Sequence, residues 1–193
     1  MKRAEQASET RTALIEAAKR LFATRGYLNT KVTDITAEAG RAAGSFYNHF
    51  AGKEELLKAL LDELAAVSDR FADTAEHKSD FTDPDAIRYH VAVYWRVHRE
   101  HAPTMLALRQ AALVSEDFAR TYERFRRAQL EDLAGHLAYV RNLPASVETT
   151  LTLMGAMMEA PALLPELPEE EAVEVTTRFI YRALNGTDYP QQG

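Results

Sequence analysis

The sequence contains no cysteine. That excludes disulfides, thiolate metal sites and cysteine nucleophiles, and it suits a reducing compartment. Long apolar runs are missing as well. No stretch approaches the roughly 18 residues that a membrane helix needs, so no span is expected. The opening MKRAEQASETR leads into amphipathic sequence rather than an apolar run, so no signal peptide is expected. A soluble, cytoplasmic chain is the resulting expectation. Runs of alternating β-branched residues, internal repeats and low-complexity segments are also absent. So are HExxH and GxSxG. A phosphate loop is excluded because Tyr47 stands where Gly52-Lys53 would need a preceding glycine. The expectation is a non-enzyme without a cofactor.

The charge is unevenly distributed. The 193 residues carry a net charge of −6. Residues 1–60 hold 10 Lys+Arg against 7 Asp+Glu, and the remainder holds 13 against 22. A mildly basic head is thus joined to an acidic body. Such a head can approach a polyanion while the body must face away.

Helical periodicity fills the chain. Leu14, Ile15, Ala18, Leu21 and Phe22 share one helix face, with Ser8 or Thr10 as candidate caps and Gly26 as the stop. Thr30 is the expected N-cap of a short helix through Val32, Ile35, Thr36 and Ala39, which Gly40 breaks. Ala43 to His49 forms a second short helix, and Lys53 opens a longer one. Pro84 and Pro103 start the next two. A single long helix is expected from Phe118 through Tyr122, Phe125, Leu130, Leu133 and Leu137 to Val140. Two more helices follow, the first limited by Pro161 and Pro165 and the second stopped by Gly186. The class is all-α with about nine helices.

Residues 30–53, TKVTDITAEAGRAAGSFYNHFAGK, have the helix-turn-helix layout. A short helix enters the major groove only if its exposed start is small or hydrogen-bonding, which Ala42, Ala43, Gly44 and Ser45 satisfy. Tyr47, Asn48, His49 and Lys53 can all donate to phosphate oxygens. Thr30 offers its hydroxyl and the open N–H groups of the helix behind it. A plain helical hairpin with a small-residue turn is the bland alternative for the layout alone.

The residue detail resembles the tetracycline-repressor (TetR) family. The carrying positions are Thr30, Val32, Asp34-Ile35, Ala39-Gly40, Gly44-Ser45-Phe46-Tyr47, His49-Phe50 and Lys53-Glu54-Glu55-Leu56, preceded by Leu21-Phe22 and Gly26-Tyr27. The resemblance implies a DNA-binding domain at 1–53, with a helical effector-binding and dimerisation domain at 54–193. It implies a sequence-specific regulator, a repressor released from a palindromic operator by a small, largely apolar or aromatic effector. Tyr47, His49, Lys53 and Thr30 would hold the DNA backbone. Ala43, Gly44 and Ser45 would face base edges, and Thr33 would border the groove. Two positions depart from the pattern. Arg41 stands for a usual apolar residue, and Ala42 replaces a usual Ser or Thr, which removes a side-chain cap worth about 1 kcal/mol. Arg41 keeps two readings, a DNA contact or a solvated turn residue.

The family also implies a homodimer built by the last two helices, roughly 146–163 and 170–185. Leu151, Met154, Met158, Val173, Ile180 and Leu184 are the candidate interface, with packing inside one subunit as the alternative. Tyr94, Trp95, His98, Met105, Arg109, Phe118, Tyr122 and Phe125 combine aromatic walls with polar groups and form the candidate effector pocket. Ordinary core is the alternative for each of them. His90, His98 and His101 lie on or near one helix, but no well-placed carboxylate joins them beyond the adjacent Glu100, so no metal is expected. An architectural module without sequence preference is the rival to a regulator, and an activator the rival to a repressor.

Overall fold

The computed structural model describes residues 2–72, 74–160 and 166–186, and every regular element among them is helical. The α-helices are α1 (Lys2–Arg25), α2 (Val32–Glu38), α3 (Lys53–Ala72), α4 (Pro84–Glu100), α5 (Ala102–Val114), α6 (Glu116–Glu131), α7 (Val147–Glu159) and α8 (Glu169–Asn185). Two 3-10 helices, Ala43–Asn48 and Ala134–Tyr139, complete the set. No helix among the described residues is long and apolar enough to cross a membrane. The expected boundary residues Pro161 and Pro165 lie outside the described residues.

The chain divides into two compact units. The first comprises Met1–Ala65 and His101–Phe125. The second comprises Ala66–Glu100 and the described part of Arg126–Gly193. In the first unit α1 packs on α2 and on α5, and α2 packs on the 3-10 helix Ala43–Asn48. Leu14, Ile35, Phe46, Leu56, Leu57 and Leu60 are buried there, each contributing about 1.5–3 kcal/mol relative to exposure. In the second unit α4 packs on α8 and α7, and α7 also meets α8. Phe81, Ile87, Val91, Leu137, Leu151 and Ile180 form part of its core.

Local physics explains where three of the helices stop. Gly26, Gly40 and Gly186 all take positive φ, the left-handed conformation that ends helices at low cost to glycine. At Gly40 the turn closes as a Schellman motif, with the Arg41 N–H donating to Thr36 O at 2.8 Å.

Four expectations need correcting. Helix α1 begins at Lys2, so Ser8 and Thr10 are interior, and the Thr10 hydroxyl donates to Gln6 O instead of capping. Helix α2 is capped at Lys31 rather than Thr30, and the Asp34 carboxylate accepts from the Lys31 N–H at 2.9 Å. The second short helix is a 3-10 segment rather than an α-helix. The long helix expected from Phe118 to Val140 ends at Glu131. The apolar spacing of Leu130, Leu133 and Leu137 continues across that break, because all three pack on the same core although α6 has ended.

Candidate nucleic-acid interface

The helix-turn-helix surface rests on three buried side chains. Ile35 of α2, Phe46 of the 3-10 helix and Phe50 behind it are all sealed from solvent. The Phe46 ring meets Tyr47 edge-on at 5.6 Å and Phe50 at 5.4 Å. This aromatic floor fixes the 3-10 helix, which is too short to be stable alone. Ala43, Gly44, Tyr47 and Asn48 lie on its exposed side, with Tyr47 63% exposed. Ser45 and His49 are half-buried. Ala42 occupies the N-cap and makes no side-chain cap bond, while the Ser45 hydroxyl donates back to Ala42 O at 2.7 Å. Arg41 and Thr33 are exposed.

Thr30 and Lys53 sit differently from the sequence expectation. Thr30 is buried, and its hydroxyl donates to Gly26 O at 2.8 Å. The hydroxyl is thus committed to the turn and does not reach the surface. The Lys53 ammonium donates to Tyr27 O at 2.9 Å and Thr30 O at 2.7 Å, and stands 4.1 Å from the Tyr27 ring centroid. Partial burial lowers its pKa. Two of its three N–H groups therefore bind the α1–α2 turn. Replacing Lys53 with Met should lower stability by about 1.5–3 kcal/mol, the usual value for bonds to a charged donor. Urea unfolding measures this. An unchanged midpoint with weakened DNA binding would assign Lys53 to phosphate instead.

Two residues that the sequence reading did not single out also bear on this region. Lys31 is exposed at the N-cap of α2. Gln110 of α5 accepts the Tyr27 N–H at 3.0 Å and lies against Gly26. Nothing local in the sequence announces that contact, since 83 residues separate the partners.

The candidate effector residues fall in both units. Tyr94, Trp95 and His98 belong to the second, where the Tyr94 and His98 rings lie 5.3 Å apart. Met105, Arg109, Phe118, Tyr122 and Phe125 belong to the first. Phe118 is fully buried, Arg109 is exposed, and Met105, Tyr122 and Phe125 are half-buried. The Trp95 indole N–H is buried without an acceptor among the described residues.

The candidate dimer residues are a correction. Leu151, Met154, Met158, Val173, Ile180 and Leu184 are all at most 5% exposed and pack inside the second unit. Side chains already covered by their own chain present no surface to a mate. The apolar residues left exposed on α7 and α8 are Val147, Leu153, Val175 and Phe179.

Comparison with known proteins agrees with this geometry. The family model for bacterial regulatory proteins, tetR family, matches residues 14–60. The regulator TtgR of Pseudomonas putida is 45% identical over 80 residues, covering 42% of this chain and 38% of its own length. That chain is therefore matched over well under half its length. EthR of Mycolicibacterium smegmatis is 25% identical over 186 residues, covering 91% of this chain and 86% of its own. Among solved structures, a transcriptional regulator from Rhodococcus sp. Rha1 superposes with a TM-score of 0.74 at 21% identity, covering 94% of this chain and 99% of that one. The fatty acid degradation regulator FadR from Bacillus halodurans gives 0.72 at 16% identity, over 91% and 96%.

Proposed function

Because the chain belongs to the tetR family of bacterial regulatory proteins, we propose that it is a sequence-specific transcriptional repressor that binds a palindromic operator as a homodimer and leaves it when a small effector binds. Members of this family are DNA-binding regulators rather than enzymes. The observation that carries the proposal is the exposed strip Ala43, Gly44, Tyr47 and Asn48 over a buried aromatic floor. Small residues let the backbone approach base edges, and Tyr47, Asn48 and His49 supply donors for phosphate. So few polar readers imply that part of the specificity comes from DNA shape. Arg41, exposed at the turn, is the strongest remaining candidate for a guanine or phosphate contact. Residues 1–53 carry the reading surface, and residues 54–193 carry the effector and dimer functions.

Two further features support the finer reading. One short helix reads too few bases, so a two-fold dimer on a palindrome is the matching geometry. The exposed Leu153, Val175 and Phe179 of α7 and α8 supply an apolar face for it. The buried Trp95 N–H calls for an acceptor, and the Tyr94 and His98 rings, 5.3 Å apart on the same helix, add aromatic surface of the kind an apolar or aromatic ligand uses.

One experiment tests the whole reading. DNA is selected from a random pool by the wild-type protein and by Arg41→Ala. The expected result is a palindromic consensus, with one position relaxed in the variant. Binding that falls steeply with salt but shows no consensus would favour an architectural module. The selected duplex then serves for effector screening, with emission of the single tryptophan as the report. An effector that releases DNA without altering that emission would remove Trp95 from the pocket.

A further inference from the structure

Three histidines that DNA reading leaves unused converge in the second unit. His77 follows α3 in a loop, His90 lies on α4, and His136 lies in the 3-10 helix Ala134–Tyr139. His77 Nε2 stands 3.2 Å from His90 Nε2 and 3.0 Å from His136 Nε2. A ligand atom of each lies within 4.8 Å of the others. We propose that His77, His90 and His136 form a binding site for one divalent transition-metal ion of the zinc type, held by three imidazole nitrogens with a fourth position left to water or an anion.

The distances fit that chemistry. Zinc–imidazole bonds of about 2.0–2.1 Å at tetrahedral angles place ligand nitrogens about 3.3–3.4 Å apart. The two measured separations fall short of that by only a few tenths of an ångström. Orientation also fits. His90 Nδ1 lies 2.8 Å from Ala86 O and must carry its proton there, so Nε2 presents a lone pair. With that tautomer set, no neutral arrangement gives each Nε2 contact a proton of its own. At most one proton can serve the two contacts at His77 Nε2, so the other contact is left without a proton of its own. A cation at the meeting point satisfies all three nitrogens.

The surroundings hold the rings in place. Phe81 packs on His90 at 5.1 Å and on His136 at 4.9 Å, and Tyr89 lies 5.9 Å from His77. The Asn185 amide of α8 donates to Phe81 O at 3.0 Å, tying that loop to the end of the last helix. Imidazole ligands select zinc, nickel, cobalt or copper over magnesium and calcium. Sequence spacing directed attention to His98 and His101, whereas the fold joins His77 to partners 13 and 59 positions away.

The test uses the full-length protein, stripped with chelator and dialysed. Cobalt(II) is titrated first, then displaced by zinc. The expected result is one cobalt per chain, with visible d–d bands that zinc abolishes and a melting temperature raised by zinc but not by magnesium. His77→Ala, in a loop and half-buried, should weaken cobalt binding at least about 10-fold while circular dichroism shows the helices intact. His90→Gln should do the same, and His101→Ala should bind as the wild type does. Absence of the bands and of the zinc-dependent melting shift would overturn the site. So would undiminished uptake in both His77→Ala and His90→Gln, which would assign the metal to other histidines. The readouts involve no DNA, so they fail or succeed independently of the proposed repressor function.

Discussion

Replacing Gly44 with Glu should weaken binding to the selected operator by at least about 100-fold, close to 2.7 kcal/mol, and leave the melting temperature unchanged. Both halves follow from position. Gly44 is exposed, its φ is not in the left-handed region, and an added Cβ would meet nothing within 4 Å. The free protein therefore accommodates the side chain. Against DNA the same carboxylate fills the space through which the backbone approaches the bases, and it faces phosphate. Like charges juxtaposed across an interface cost several kcal/mol. Fluorescence anisotropy on a labelled duplex and a thermal melt provide the two readings. Wild-type affinity in this variant would remove the 3-10 helix from the groove and end the proposed mode of reading.

Phe179→Glu should convert the protein from dimer to monomer at micromolar concentration and reduce operator affinity by a similar factor. Phe179 is 65% exposed on α8, where Val175 is 38% exposed, and Leu153 is 54% exposed on α7. An isolated exposed aromatic is ordinary, but three large apolar side chains on neighbouring helices suggest a covered face. A carboxylate placed there would have to be buried unpaired in the dimer. Loss of the mate leaves each head to bind half a site alone, without the effective concentration that linkage supplies. Sedimentation velocity measures the assembly directly. A variant that remains dimeric would place the interface elsewhere, and a dimer-free variant with full affinity would separate DNA reading from assembly.

The sequence was most informative where local chemistry decides the structure. Gly26, Gly40 and Gly186 were identifiable as stops because only glycine enters the left-handed region cheaply. Pro84 was identifiable as a helix start because it stands in the first turn of α4. The exposure of Ala43, Gly44 and Tyr47 was legible because Phe46 and Phe50, four apart, mark the buried side of that segment. Thr30 was misplaced because its hydroxyl turns back onto Gly26 O, in a turn whose carbonyl at Thr30 is held by Lys53, 23 positions away. The dimer residues were misassigned for a different reason. Periodicity shows that Leu151 and Ile180 face something apolar, but it cannot say whether the cover is the chain itself or a second copy. In the structure, that cover is the core shared by α4, α7 and α8. The histidine cluster had no local signature at all, since its members come from a loop, an α-helix and a 3-10 helix.

The bond from Tyr27 N–H to Gln110 has a consequence for synthesis. Ribosomes add about 5–20 residues per second. The turn that ends α1 therefore leaves the exit tunnel several seconds before α5 exists to receive it. During that interval the turn lacks the acceptor that Gln110 supplies and α1 lacks its packing partner α5. Completion of the α1–α2 turn is thus timed by a residue well beyond the helix-turn-helix itself.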